Sequence, residues 1–399
     1  MTAELLTGIS ELTTQAAESS HEDDRLPDAA LVIENGRVAW IGPATEAPAA
    51  DTVVNLGGRA VLPGWVDSHT HLIFAGDRAA EFEARMAGQR YAAGGISTTM
   101  AATRSAGEAD LVTNARRLRR EAETQGTTFL ETKTGYGLDL AGELRSARAA
   151  AEVADVVTFL GAHVVPPGVD RRDYLDLVTG PMLTAVAGHV DFVDAFCETG
   201  AFDVEECREV LLAGRAAGLG LRLHGNQLGF SGGVRLAVDL GCASVDHCNH
   251  LEPADIDALA GSDTVATLLP ACDLSTREPF PPARRLLDAG VHLALASNCN
   301  PGTSYTTSMP FCVATAVLQM GLTVREAVWA ATRGGARALG REHGPDAVGS
   351  LRVGGRADLQ VLDAPSVAHL AYRPGVPLCV ATWTEGARAR PSANRDLST

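Results

Sequence analysis

The run Asp67-Ser68-His69-Thr70-His71 sets two imidazoles two residues apart within a β-rich stretch. On a strand, alternate side chains share a face, so His69 and His71 can aim at one point. Such a pair is a weak signal alone. It gains weight because His163, His224 and His247 each stand at the end of another β-rich run: VVTFLGAH, LGLRLH and CASVDH. Neutral imidazole is a ligand for zinc and other late divalent ions, and three protein nitrogens leave a position for water. The chemistry this points to is hydrolysis assisted by one metal ion. His224 ends an apolar run and precedes Gly225 and Asn226, which makes it the best third ligand beside His69 and His71. His247 reads either as a fourth ligand or as a group polarising a substrate carbonyl. His250 reads as a loop residue, and His189 and His292, which begin strands, read as structural.

These histidines need a scaffold that brings distant strand ends to one face. Eight β-rich runs lie between Val61 and Gly340: AVLPGWVDSHTHL, GTTFLETK, DVVTFLGAHVV, VDFVDAFCE, LGLRLHG, CASVDHC, TVATLLP and VHLALASN. Helical patterns such as EADLVTNARRLRREAETQ and SMPFCVATAVLQMG lie between them or after the last. This alternation predicts an α/β chain built on a (β/α)8 TIM-type barrel, whose chemistry gathers at the C-terminal ends of the strands. ISTTMAATR is a ninth strand candidate. LVIENGRVAWIG carries an Asn35-Gly36 hairpin signal, and SLRVGGRADLQVLD and PLCVATWTEG are equally β-rich. The two ends therefore predict one small β-sandwich domain, residues 1–62 with 346–399, beside a barrel over 63–345.

A chain of 399 residues, 46% hydrophobic, can bury the core of one large domain and a smaller one. Its net charge of −16 opposes nucleic acid and anionic membrane partners, so an anionic substrate must be met by local cations. No run reaches the ~18 apolar residues of a membrane span, and MTAELLTGISEL has no basic start or apolar core of a secretory signal. A cytoplasmic location is expected. The 8 cysteines form no CxxC pair and read as reduced thiols. Among the 33 lysines and arginines, Lys133 is the sole lysine. It reads either as a compact ammonium orienting carboxylates such as Glu131 or Asp139, or as drift.

The segments PGWVDSHTHLIFAGDRAAEFEARMAG, ETKTGYGLD, TFLGAHVVPP, LHGNQLGFSGG, VDHCNHL and NCNPGTSYTTSMP occur in the order found in imidazolonepropionases of the amidohydrolase superfamily. The chain resembles that family. The resemblance implies one divalent-type metal ion, Zn2+ or Fe2+/Fe3+, held by His69, His71, His224 and position 298. It implies that Arg78 grips a substrate carboxylate, a task suited to a planar two-pronged donor. A surface salt bridge to Asp77 or Glu81 is the competing reading of Arg78. By the same resemblance Tyr136 and His163 line the ring pocket, Asn300 and Gly302 make further substrate contacts, and Tyr91 sits near the propionate. The implied reaction opens the lactam C–N bond of 4-imidazolone-5-propanoate to N-formimidoyl-L-glutamate, a step of histidine catabolism, in a homodimer with no nucleic acid or membrane partner.

Position 298 departs from the family pattern. The resemblance calls for aspartate there, and the chain reads Ala296-Ser297-Asn298-Cys299-Asn300. An amide offers a neutral oxygen to a metal but has no useful basicity. Gln227, the second place to look for a base, is also an amide. His247 is then the only titratable group expected nearby, and slow or absent turnover is predicted. Two rival readings stand: another cyclic amide or an aminated heterocycle as substrate, and a binding protein that keeps the pocket without turnover.

Overall fold

The computed structural model describes residues 3–17, 24–88 and 95–389. It begins with β1 (Ala3–Thr13), β2 (Arg25–Glu34), β3 (Arg37–Pro43) and β4 (Thr52–Pro63). Next come β5 (Trp65–Asp67), β6 (Thr127–Lys133), β7 (Val156–Ala162), β8 (Phe192–Cys197), β9 (Gly220–Gly225), β10 (Ser244–His247), β11 (Val265–Leu268) and β12 (Leu293–Leu295). Then follow β13 (Leu359–Leu362), β14 (Cys379–Thr384) and β15 (Ala387–Ala389). By contact the chain divides into two compact units, residues 1–67 with 120–129 and 308–399, and residues 68–119 with 130–307.

In the first unit the two ends of the sequence share one mixed sheet, in the order β15-β14-β13-β4-β1-β2-β3. Only β1 and β4 run parallel in it. Asn35 and Gly36, at φ 52° and 78°, make the left-handed turn their sequence announces between β2 and β3. Leu6, Ile9, Leu31, Val361 and Trp383 bury into one apolar cluster that unites both ends of the chain.

The second sheet has eight strands in the order β12-β11-β10-β9-β8-β7-β6-β5, and the pairs from β6 to β12 are parallel. The ring closes just beyond the strand ends. Asn298 N donates to His69 O at 2.9 Å, and His71 N donates to Cys299 O at 2.9 Å. The segments after β5 and β12 therefore lie side by side. Strands β6, β7, β8, β10 and β11 are buried along their whole length, as expected where helices cover a sheet whose other face lines a barrel. ISTTMAATR is not a strand. It forms the helix Ile96–Ser105, and its buried residues Ile96, Thr99, Met100 and Thr103 follow the helical period, which overrides the β-preference of isoleucine and threonine. The helices Glu108–Glu123 and Met309–Gln319 form where their patterns place them. Among the described residues no helix is long and apolar enough to cross a membrane. All eight cysteines are free thiols.

Candidate active site

The strand period does to His69 and His71 what the sequence suggests. Both are buried, and their Nε2 atoms face each other at 3.2 Å. His224, at the end of β9, brings its ring centroid to 4.6 Å from that of His69 and 5.5 Å from that of His71. One donor atom from each of the three lies within 4.8 Å of the others. Asp246 Oδ2 accepts from His69 Nδ1 at 2.6 Å, so the neutral ring presents its Nε2 lone pair inward. Asp194 Oδ1 accepts the backbone N–H of His224 at 3.2 Å, and its Oδ2 approaches His224 Nδ1 at 3.0 Å, off the hydrogen-bond direction. Neither ring nitrogen of His224 has a hydrogen-bond partner. Burial pushes His69 down to about 3 and His71 well below the usual imidazole range. Buried, neutral imidazoles with converging lone pairs and an orphaned nitrogen are a fit for a divalent cation.

A single cavity is lined by His71, Arg78, Tyr136, His163, His224, Gln227, His247, Asn298 and Asn300, so these expected site residues do come together. Tyr91 lies outside the described residues. His163 Nδ1 donates to Gly135 O at 2.9 Å, which leaves Nε2 as the acceptor of the neutral ring, and the ring stacks on His71 with centroids 5.8 Å apart. Burial holds His163 down at about 4. Tyr136 packs between Phe74 and His163.

The loop carrying Tyr136 is held from below by Glu143, a fully buried carboxylate. Its oxygens accept the backbone N–H groups of Gly135 at 3.1 Å, Gly137 at 2.8 Å and Leu138 at 2.8 Å. Truncation to alanine strands three buried donors, each costing about 1–3 kcal/mol. Denaturant unfolding of Glu143→Ala is expected to show a loss of about 3 kcal/mol or more. A loss below about 1 kcal/mol would mean that the loop finds other partners.

Arg78 stands just before the helix Ala79–Met86 and makes the Glu81 salt bridge that one reading of it expects. It lines the cavity while its Nε and Nη2 donate to Glu81 at 2.8 and 2.6 Å. Gly302 makes room for it, since a Cβ there would fall 2.2 Å from Arg78 Nη1. Asn300 organises the loop after β12. Its Nδ2 donates to Asn298 O and Thr303 Oγ1, and its Oδ1 accepts from Gly302 N and Thr303 N, all at 2.7–2.8 Å. Asn298 is buried in left-handed backbone at φ 51°, and its Oδ1 accepts from Asn300 Nδ2 at 3.2 Å.

The family model described as the amidohydrolase family matches residues 196–390. The imidazolonepropionase of Saccharopolyspora erythraea is 65% identical over 97% of this chain and 99% of its own. That of an Arthrobacter species is 62% identical over 97% and 99%. The chain belongs to the imidazolonepropionase family. Among solved structures, a triazine hydrolase variant matches with TM-score 0.76 at 18% identity, covering 100% of this chain and 97% of that one. A zinc-bound adenosine deaminase from Xanthomonas campestris matches with TM-score 0.71 at 19% identity, covering 97% and 93%. At these identities the likeness concerns the barrel fold, which imidazolonepropionases share with enzymes of other substrates.

Within this imidazolonepropionase-family chain the structure adds residues that sequence reasoning missed. Thr303 lines the cavity, and its place three residues after Asn300 in a tight loop was the available signal. His247 is not the only titratable group beside the pocket, as the sequence had suggested. It belongs to a second buried cluster whose donor atoms, with Cys272 Sγ and an Asp273 carboxylate oxygen, lie within 4.8 Å of one another. Burial pushes the Asp273 carboxyl well up, and Asn249 Nδ2 donates to it at 2.7 Å. Among the described residues the Gln227 side chain donates to Cys272 Sγ, at 3.8 Å. Lys133 meets Glu131 but not Asp139, which instead caps the helix Leu140–Ala151.

Proposed function

We propose that the chain hydrolyses the lactam C–N bond of 4-imidazolone-5-propanoate to N-formimidoyl-L-glutamate in histidine catabolism, as a cytoplasmic homodimer holding one Zn2+ or iron ion. The observation that carries this is one cavity lined both by Arg78 and by His71 and His224, two of the three converging histidines whose third member, His69, is buried beside them. His69, His71 and His224 would hold the ion, with the Asn298 amide oxygen as the neutral fourth donor. When bound, a divalent ion there supplies Lewis-acid polarisation of the carbonyl and a lower pKa for water.

The chain's own groups do the rest. Arg78 receives the propionate, and the two-pronged way it already meets Glu81 is the geometry a carboxylate requires. Tyr136 and His163 flank the ring, and Asn300, Gly302 and Thr303 shape the wall beside it. Asn298 and Gln227 cannot accept the proton of the attacking water, so a ring nitrogen of His247 takes it, and turnover is slow. Those two amides also favour a second reading, binding without turnover.

The test follows substrate loss and product formation with imidazolone-propionate, other lactams and aminated heterocycles, using the unmodified chain and Asn298→Asp, with metal content measured alongside. Ring opening of the imidazolone alone supports the assignment. Faster hydrolysis of another ring overturns it, and tight binding without product in both forms favours the second reading. Sedimentation that finds a monomer would remove the homodimer. Arg78→Lys is expected to raise KM by about 10- to 100-fold with kcat changed little, because an ammonium cannot make the two-pronged contact. A KM unchanged in steady-state assays would place the carboxylate elsewhere.

A further inference from the structure

Lys133, the sole lysine among 33 basic residues, is fully buried. Its Nζ lies 3.0 Å from Glu131 Oε1, 3.0 Å from Asp194 Oδ2 and 3.8 Å from Asp246 Oδ2. Arg222, also fully buried, closes the other side, with Nη2 at 3.1 Å from Asp246 Oδ2 and Nη1 at 3.8 Å from Glu131 Oε1. Two cations against three carboxylates leave this core one negative charge in excess. Charges so deeply placed are costly to desolvate and replaceable by apolar packing, so stability alone is a weak reason for them.

Each carboxylate also reaches the histidine cluster. Asp246 accepts from His69 Nδ1, and Asp194 accepts the backbone N–H of His224, with its Oδ2 3.0 Å from Nδ1 but off the hydrogen-bond direction. Glu131 Oε2 accepts the N–H of Thr70, the residue between His69 and His71, while Thr158 Oγ1 donates to its Oε1. One ammonium therefore stands behind all three attachments. We propose that Lys133 is the positioning residue of the His69–His71–His224 cluster, fixing the three carboxylates that aim these imidazoles at a divalent cation. The inference rests on reading those histidines as a metal site. An ammonium carries three donors around one centre and serves acceptors lying in different directions, whereas the donors of a guanidinium lie in one plane. That difference accounts for a lysine here in a chain that uses arginine everywhere else.

Two effects oppose each other, and their sign separates them. A fixed cation near a metal ion repels it, so a purely electrostatic role predicts tighter metal binding once the ammonium is removed. A positioning role predicts weaker binding, by about 10- to 100-fold, as for other groups that orient metal ligands. Zinc affinity is measured by chelator competition on the full chain, unmodified and as Lys133→Met and Lys133→Arg, with circular dichroism to verify folding. Both variants are expected to bind zinc about 10- to 100-fold more weakly. Unchanged or tighter binding by Lys133→Met overturns the proposal, as does Lys133→Arg binding like the unmodified chain. Should Lys133→Met fail to fold, Lys133→Arg, which keeps the buried charge, decides. An unmodified chain whose zinc binding is indifferent to His224→Ala would refute the metal reading itself, an outcome distinct from variants at 133 that match it.

Discussion

Asn298→Asp is expected to raise the rate of imidazolone-propionate hydrolysis by about 10²–10⁴-fold, the range a positioned general base supplies. The exchange keeps the side chain's shape. The left-handed backbone at 298, φ 51°, suits aspartate as it suits asparagine, and the N–H that donates to His69 O is untouched. Asn300 Nδ2, now 3.2 Å from the amide oxygen, would donate to a carboxylate and hold it more firmly. Arg78 sits on another loop, so KM should move little while kcat rises. A buried carboxylate also needs a counter-charge, so the variant should bind metal more tightly and lose thermal stability more than the unmodified chain when stripped of it. Paired kcat values and melting curves with and without chelator test this. An unmodified chain already as fast as Asn298→Asp would mean that His247, with Asp273 behind it, accepts the proton unaided.

The second large effect is expected from His224→Ala. Of the three clustered histidines it is the one whose ring nitrogens both lack hydrogen-bond partners, so truncation removes a donor that no other hydrogen bond engages. Bound zinc should fall from about one per chain to near none, and turnover by about 10⁴-fold, the kinetic equivalent of several kcal/mol of Lewis-acid stabilisation. His250→Ala is the control. That ring is partly exposed and meets Glu278 at 3.7 Å and the Phe230 ring at 5.8 Å, away from the clustered histidines, so its loss should leave both quantities unchanged. Elemental analysis beside the rate assay decides, and a His224→Ala protein that keeps its zinc would move the metal site to other residues.

The sequence exposed what depends on local period. His69 and His71 were legible because two-residue spacing on a strand has one geometric meaning, and the barrel was legible because strands covered on both faces are written as unbroken apolar runs. ISTTMAATR misled because its residue types favour strands while its buried positions, Ile96, Thr99, Met100 and Thr103, keep helical spacing. The charged barrel interior was illegible for another reason. Glu131, Asp194, Arg222 and Asp246 stand on four different strands, and nothing in any one segment announces that they meet. Asp273 likewise comes to His247 from the next strand's exit, a pairing that only the three-dimensional arrangement reveals.

Because Lys133 is wholly enclosed, the native surface offers acylating reagents no side-chain amine among the described residues. Coupling, acetylation or ubiquitin attachment at the lysine side chain needs that ε-amine, so each must await an opening that takes the barrel apart. Apart from the α-amine, the folded molecule is silent to reagents that seek a lysine, and its single lysine reports unfolding.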